Sequence, residues 1–477
     1  MTTAESSAKA AISEASDRHG PHRYRRSGLT ADRLRRSLAG YLLAWPWFDG
    51  LSTWILRRLY FPASRLWAAA ELADGSAERF WQAVPMQRRL EHNRRLESVL
   101  ARCDRARARA QALETEWQRV FFGPEESSPN YRSAVEAARL GGRHAYNAAR
   151  RFFLFLLDRR VPRARIETAT PAEVAAVYGE ARRDLAPFVA APDPLPEIEV
   201  SRAIPGAAGA DYWLRFKSPS SRLGDTVYAR VHEPQGTADA PTIIFGHGIC
   251  VEFDHWHGLI DEAETLCKAG FRVIRPEAPW HGRRVPAGYF GGERLIATYP
   301  MGLLDAVLGS LQEWAVLADW SRKTSRGALA FGGTSLGAQV AQLAADRARE
   351  WPERLRPDGL FLITHCGRMG EAAQHGEIAK IVGGAEEAIR KGWTAEEVDR
   401  YAALLDPRPE PAVVPARIVS VLGRRDIVTP FSSALPLIDD WGLPGKNRFV
   451  WDRGHFSIPM TLIRNSAPIA RFREVMR

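Results

Sequence analysis

The chain has 477 residues, of which 45% are apolar and 26% charged, a composition typical of globular proteins and not of disordered or fibrous ones. Its formal net charge is +10, and most of the excess lies in residues 1–110, with 20 basic against 11 acidic side chains. No zinc-finger, helix-turn-helix or RNA-binding pattern accompanies this charge, so we expect no nucleic acid partner and favour an anionic membrane surface. The four cysteines are scattered, which argues against a disulfide framework and a zinc site and favours the cytoplasm.

The first part of the chain is expected to be helical. Residues 1–28 are small, polar and mixed in charge, and we expect a disordered tail without the apolar core of a secretory signal. Residues 29–195 carry apolar side chains at three- and four-residue spacing, which predicts a helical domain or arm. Segments 41–48 and 54–61 within it are rich in aromatic residues near arginines, and both are too short to span a membrane. Either they dock the arm onto the rest of the protein, or they lie in the interface of an anionic membrane as a peripheral contact.

A proline-dense stretch from Pro187 to Pro196 indicates a linker, and we place a domain boundary there, with a second domain at residues 196–477. In that domain short apolar runs alternate with helical segments after an initial strand meander. This pattern predicts an α/β fold: a mostly parallel eight-stranded sheet with helices on both faces and an antiparallel edge at its start. A long, helical and charge-rich connection at about residues 366–412 is expected to form a lid over a pocket.

One short motif stands out at residues 329–338, where an apolar strand-like run passes through Gly333-Thr334-Ser335-Leu336-Gly337 into a helical pattern. The G-x-S-x-G spacing is typical of a nucleophile elbow, in which a serine sits at strained backbone angles on a tight strand-to-helix turn and needs small neighbours. A helix beginning at Leu336 would direct its N-terminal N–H groups at negative charge developing beside Ser335. The motif therefore predicts Ser335 as a nucleophile.

A serine hydroxyl is a weak nucleophile and needs a base within hydrogen-bond reach, and that base needs a partner that fixes its tautomer. Asp426 follows a predicted strand at residues 418–422, and His455 follows the next one at residues 448–451. The chain order is therefore Ser335, Asp426, His455. Other acids lie nearby, and the turn around Asp426 favours it over Asp406, Asp439 and Asp452.

Four motifs in this order carry a resemblance: the elbow, the G-x-x-D-x-x-x-P turn at Asp426, the G-H-F loop at His455, and Phe245-Gly246-His247-Gly248-Ile249. With them, residues 197–477 resemble the α/β-hydrolases, and residues 279–286 are similar to a poorly characterised, serine esterase/lipase-like branch. The resemblance implies an α/β-hydrolase fold and a carboxylic ester hydrolase without cofactor or metal. It implies Ser335 as nucleophile, His455 as general base and acid, and Asp426 as the group orienting His455. The oxyanion hole would be the backbone N–H groups of Leu336 and Ile249.

Several aromatic residues fall in loops expected at the carboxyl ends of the strands, where ligands bind in such sheets. We therefore expect a small-molecule ester substrate with an apolar acyl or aromatic group. The predicted substrate-binding residues are His247, Phe253, Trp256, Trp280 and Tyr289. A nearby cluster of possible metal ligands has spacing that favours a pocket wall or a turn over a metal site: Glu252, Asp254, His255 and His257.

Two other functions remain open from the sequence. An acyltransferase would use the same triad but exclude water and admit an alcohol or thiol acceptor. A non-catalytic binding protein could keep the fold without the chemistry, although three intact triad positions argue against it. The substrate and the oligomeric state are left open.

Overall fold

The computed structural model describes residues 10–13, 37–84, 86, 93–236, 239–250 and 262–477. Within the predicted tail, residues 10–13 form a helical turn whose Ala11 and Ile12 belong to the same apolar cluster as Trp117. The rest of residues 1–28 lies outside the described residues. So do Phe253, Trp256 and the acidic and histidine cluster at residues 252–257.

Helices form the described chain before the sheet. They are α1 (Leu38–Leu43), α2 (Trp47–Ile55), a π-helical turn (Leu56–Tyr60), α3 (Phe61–Ala73), α4 (Ala77–Ala83), α5 (Asn93–Phe122), α6 (Pro129–Ala148), a 3-10 segment (Ala149–Leu156), α7 (Pro171–Tyr178) and α8 (Ala186–Val189). Local capping explains several starts, since Thr170 and Glu173 form a reciprocal capping box at α7. α7 is followed by a 3-10 turn at Gly179–Arg182.

The sheet has ten strands, two more than predicted. They are β1 (Glu199–Val200), β2 (Ile204–Pro205), β3 (Gly209–Lys217), β4 (Thr226–Pro234), β5 (Thr242–Gly246), β6 (Arg272–Pro276), β7 (Leu329–Thr334), β8 (Gly359–Ile363), β9 (Ile418–Gly423) and β10 (Arg448–Trp451). β1 and β2 are two-residue strands that pair antiparallel with β3 at the sheet edge.

The strand order is β1-β3-β4-β6-β5-β7-β8-β9-β10. β3, β4 and β6 pair antiparallel, whereas β6, β5, β7, β8, β9 and β10 form one parallel series. Helices cover both faces, and the central strands β5, β7, β8 and β9 are buried almost throughout. The predicted α/β-hydrolase fold, mostly parallel with an antiparallel start, is confirmed.

The helices of the second part are α9 (Glu262–Lys268), α10 (Glu293–Ala297), α11 (Met301–Thr324), α12 (Leu336–Arg347), α13 (Met369–His375), α14 (Glu377–Val382), α15 (Gly384–Arg390), α16 (Ala395–Asp399), α17 (Ala402–Leu405), α18 (Phe431–Asp440), α19 (Ser457–Arg464) and α20 (Ala467–Val475). By length and composition, α11 could cross a membrane, but 89% of its most apolar window is buried inside the protein. It is a core helix that packs beneath the sheet with α12.

The N-terminal helices are packed onto the sheet domain. Phe61, Leu66 and Phe153 share a buried apolar cluster with Phe290 and Ala297 of the second part. Farther along the chain, the ring of Trp117 in α5 meets Trp213 of β3 edge-on, with 5.2 Å between centroids. Most of the helical region is therefore anchored by apolar burial, the main stabilising contribution in such contacts.

Candidate active site

Ser335 occupies a strained turn between β7 and α12. Its backbone has φ 57° and ψ −121°, a conformation that costs a non-glycine residue about 1–3 kcal/mol and that clusters at functional sites. The two glycines of the motif are needed for close backbone contact. A Cβ on Gly337 would overlap the carbonyl group of Gly246 in β5, and one on Gly333 would overlap the backbone of Gly337. The elbow is possible because glycines at these positions let the backbones of β5, β7 and α12 approach closely.

The structure brings Ser335, His455 and Asp426 together. Nε2 of His455 lies 3.0 Å from Oγ of Ser335, and Nδ1 lies 2.8 Å from Oδ2 of Asp426. All three side chains are buried. Because a carboxylate accepts but does not donate, Nδ1 of His455 carries the ring proton, which leaves Nε2 as the acceptor facing the serine hydroxyl. This is the geometry a base needs to take the proton of Ser335.

Asp426 is held by its own turn. Its Oδ1 accepts hydrogen bonds from the backbone N–H groups of Val428 and Thr429, both at 2.9 Å. The hydroxyl of Thr429 lies 2.9 Å from Oδ2 of Asp426 and 3.1 Å from Nδ1 of His455. Sequence reasoning did not single out Thr429, although its position three residues after the acid, where a hydroxyl can return to the carboxylate, was a usable signal.

The alternative acids lie elsewhere. Asp452 pairs with Arg425 at the surface, Asp439 pairs with Arg448, and Asp406 accepts the backbone N–H of Met369. Of the candidates weighed from the sequence, Asp426 is the one placed against His455.

Two buried histidines shape the loop after β5. His247 accepts the backbone N–H of Ala278 at Nε2 and therefore donates from Nδ1 to the carbonyl of Gly248, 2.8 Å away. His281 likewise accepts the backbone N–H of Cys250 at Nε2, 3.2 Å away, and donates from Nδ1 to the carbonyl of Pro279. Burial lowers the pKa of His247 well below its usual value, so its ring is neutral and can accept. His247 therefore orients the loop that carries Ile249.

A cavity of about 90 Å³ opens at Ser335. Ile249 and Leu336, the predicted oxyanion residues, line it with Ser335. The wall opposite the sheet comes from α13, α14 and α15, which lie inside the predicted 366–412 connection and contribute mainly small apolar side chains: Met369, Ala372, Ala373, Ile378, Ala379, Val382, Gly384 and Ala385. The cavity is thus bounded by the elbow on one side and by this helical insertion on the other.

Three of the predicted substrate-binding residues, His247, Trp280 and Tyr289, do not line this cavity. Trp280 is buried at a turn with φ 61°, and its ring packs under the guanidinium of Arg294. Tyr289 lines a separate cavity beside Trp67, and its hydroxyl donates to Glu167 at 2.6 Å. Tyr289 follows β6 along the chain, but residues of the docked N-terminal region, among them Trp67 and Glu167, cover it. Because that docking is a long-range contact, the position of these residues along the chain did not reveal it.

The N-terminal helices also reach the loop that carries His455. The carboxylate of Asp49 in α2 accepts the backbone N–H groups of Phe456 at 2.6 Å and Ser457 at 3.2 Å, and the hydroxyl of Ser457 at 2.6 Å. Ser457 begins α19, so Asp49 caps this helix from a distant part of the chain. The sequence signal was a lone acid between the two aromatic segments, and we did not interpret it.

No protein-family model and no curated protein matches the chain. Solved structures are similar to part of it. A cold-adapted esterase from an Arctic intertidal metagenomic library is 14% identical with a TM-score of 0.39, over 58% of this chain and 98% of that one. Acetyl xylan esterase 1 from Thermoanaerobacterium sp. JW/SL YS485 is 14% identical with a TM-score of 0.41, over 63% and 96%. An S-formylglutathione hydrolase from Agrobacterium tumefaciens is 14% identical with a TM-score of 0.39, over 58% and 100%. The substrates in these names belong to those enzymes and are not assigned to this chain.

Proposed function

We propose that this protein is a serine hydrolase that cleaves a carboxylic ester through an acyl-enzyme on Ser335. One observation carries the proposal: a serine on a strained elbow, 3.0 Å from a histidine whose other nitrogen is held by a buried carboxylate, opens onto an apolar cavity. Such a chain of hydrogen bonds activates a hydroxyl that is otherwise a weak nucleophile.

In the first half of the reaction, Oγ of Ser335 attacks the ester carbonyl carbon while its proton passes to Nε2 of His455. The backbone N–H groups of Leu336 and Ile249 stabilise the oxyanion that forms, and losing one such donor typically costs about 2.7–4 kcal/mol. The C–O bond to the alcohol then breaks, and the alcohol leaves with the proton from His455. The acyl group remains as an ester of Ser335.

In the second half, His455 takes a proton from water, which attacks the acyl-enzyme. The second tetrahedral intermediate collapses, Ser335 recovers its proton from His455, and the carboxylic acid leaves. Asp426 keeps the proton-bearing Nδ1 of His455 in place and stabilises the imidazolium that forms in both halves.

The cavity suggests a short acyl group. Its volume of about 90 Å³ is smaller than an apolar cavity of roughly 150 Å³ that accommodates benzene in another protein. Its walls are apolar and narrowed by α13, α14 and α15, which we assign as a lid over the acyl group. We therefore expect acetyl to butyryl esters to be preferred over long-chain ones.

The test is Ser335→Ala in the full chain, assayed with p-nitrophenyl esters of increasing acyl length and with a fluorophosphonate probe. We expect kcat to fall roughly 10⁴- to 10⁶-fold and probe labelling to disappear. Ser310→Ala is the matched control, since Ser310 is also buried but donates to the carbonyl of Ala306 within α11. Unchanged turnover and labelling in Ser335→Ala would contradict the proposal.

Products measured with and without an added alcohol acceptor separate hydrolysis from acyl transfer. We expect the free carboxylic acid to remain the main product with the acceptor present. A new ester as the main product would instead assign acyl transfer to the same serine.

A further inference from the structure

Exposed apolar side chains are concentrated in one short part of the chain. Among the described residues, fifteen large apolar side chains are exposed, and nine of them belong to residues 38–59. Trp47 is 50% exposed and Trp54 is 54% exposed. We call the exposed apolar side chains of residues 38–59 the aromatic face. Large contiguous apolar patches on a protein surface mark interaction sites.

The aromatic face is an ordered stripe. In α2, positions 47, 51, 54 and 55 follow helical spacing, and no residue of that helix is buried. Positions 38, 41, 42 and 45 repeat the spacing at α1. Asp49 lies about 200° around α2 from Trp47, and its contacts with Phe456 and Ser457 fix the protein-facing side of the helix. The stripe is therefore presented away from the protein.

The charges around the aromatic face are basic. The guanidinium of Arg453 lies 5.5 Å from the ring centroid of Trp45, and that of Arg464 lies 5.4 Å from the ring centroid of Tyr41. Arg57 and Arg58 lie near the end of the stripe and are exposed, and Arg57 pairs with Glu377. The sole acid within residues 37–60 is Asp49, which is engaged with the His455 loop.

We propose that the aromatic face binds the surface of an anionic phospholipid bilayer. Trp and Tyr rings suit the depth of lipid headgroups, and the arginines around the aromatic face complement anionic lipid. By length and composition, no described helix within residues 38–59 could span the bilayer. Because Asp49 ties α2 to the loop carrying His455, a docked protein would hold the Ser335 site close to the membrane.

The experiment uses the full chain and sucrose-loaded vesicles, with sedimentation and tryptophan emission as readouts. The vesicles are either pure phosphatidylcholine or contain one quarter phosphatidylglycerol. We expect at least about tenfold stronger partitioning to the anionic vesicles, with a blue shift of the emission that salt reverses. No substrate is present, so the outcome is independent of the proposed esterase activity.

Two matched double variants locate the binding surface. Trp47→Ser with Trp54→Ser should weaken partitioning at least about tenfold, whereas Ile389→Ser with Val414→Ser should leave it within about twofold. Ile389 and Val414 are similarly exposed apolar residues outside the aromatic face, at 69% and 67%. Circular dichroism and thermal unfolding establish that both variants fold.

Two results would overturn the proposal. One is equal partitioning of the Trp47 and Trp54 variant and the unchanged protein. The other is a self-associating protein that fails to bind anionic vesicles and becomes monomeric when the two tryptophans are replaced, which would assign the face to a second copy of the chain.

Discussion

The carboxyl edge of the sheet and the aromatic face of residues 38–59 differ in what they bury: polar side chains are buried at the sheet edge, and apolar side chains are exposed at the aromatic face. At the sheet edge, the side chains of Ser335, Asp426 and His455 are buried. Two hydrogen bonds join them, 3.0 Å from Ser335 to His455 and 2.8 Å from His455 to Asp426. At the aromatic face, tryptophans about half exposed lie on helices that bury little. The first arrangement fixes side-chain positions through hydrogen bonds. The second leaves apolar surface that becomes favourable only when something covers it.

Asp49 joins the two regions. Its carboxylate belongs to the exposed α2, yet it accepts hydrogen bonds at the start of α19, directly after His455. A surface element and a buried site are thus mechanically connected by one side chain. The comparison can be tested from either side.

The largest effect is expected where the buried hydrogen bonds are densest. Asp426→Asn should lower kcat by about 10⁴-fold with little change in stability, because the amide keeps an acceptor for Val428 and Thr429 but favours the wrong tautomer of His455. Steady-state ester hydrolysis measures it. Asp452→Asn is the control, since that exposed acid pairs with Arg425. Equal losses in both variants would mean that Asp426 has no special role.

Close packing at the elbow contrasts with open space at α2. Gly337→Ala should reduce the free energy of unfolding by about 3 kcal/mol, because the new Cβ overlaps the backbone of Gly246. Gly50→Ala in α2 meets no atom within 4 Å and should stabilise by up to about 1 kcal/mol. Urea denaturation measures both. An unchanged free energy of unfolding in Gly337→Ala would show that the elbow is less closely packed than in the structure.

The buried region at the sheet edge should also lose stability in acid. Burial lowers the pKa of His365 to about 4, whereas an exposed histidine titrates near 6.5. The unfolded chain then binds more protons than the folded one between these values, so stability is lost as pH falls through this window. His365→Asn should reduce the difference in unfolding free energy between pH 7.5 and pH 5 by about 2 kcal/mol. Urea midpoints at both pH values measure it, and a difference as large as in the unchanged protein would contradict the expectation.

The control for that experiment is His144→Asn, because His144 is exposed on α6. Its replacement should leave the pH dependence as it was. A change in pH dependence seen only in His365→Asn can then be attributed to the burial of His365, because replacing an exposed histidine does not produce it.

The smallest effect is expected at the link itself. Asp49→Ala should cost about 1 kcal/mol of stability, as the loss of a helix cap does, and lower kcat severalfold without raising KM, because the His455 loop loses its support. Asp49→Asn should recover part of kcat. Chemical denaturation and ester kinetics measure the two quantities, with the exposed Asp440→Ala as control. An unchanged kcat in Asp49→Ala would show that the contact of α2 with the His455 loop does not affect catalysis.

Local sequence determined the fold class and the candidate site. Short apolar runs alternating with helical segments predicted the mostly parallel sheet, because a buried parallel strand is a continuous apolar run and a helix connects it to the next strand. The elbow, the acid turn and the histidine loop were each readable because each depends on a few adjacent residues: small neighbours for Ser335, and a strand end before Asp426 and before His455. The chain order of these motifs, together with the resemblance to the α/β-hydrolases, suggested which residues could act together.

Tertiary structure decided what covers the sheet edge. Trp280 and Tyr289 lie outside the lining of the Ser335 cavity: Trp280 packs against Arg294 of α10, and Tyr289 meets Glu167 of the docked N-terminal region. The same docking buries Phe61 and leaves Trp47 and Trp54 outside, a division that aromatic content alone could not make. Asp49 shows the physical reason most clearly. Its partners lie more than four hundred positions away, and no local pattern records which distant N–H groups a carboxylate will meet once the chain has folded.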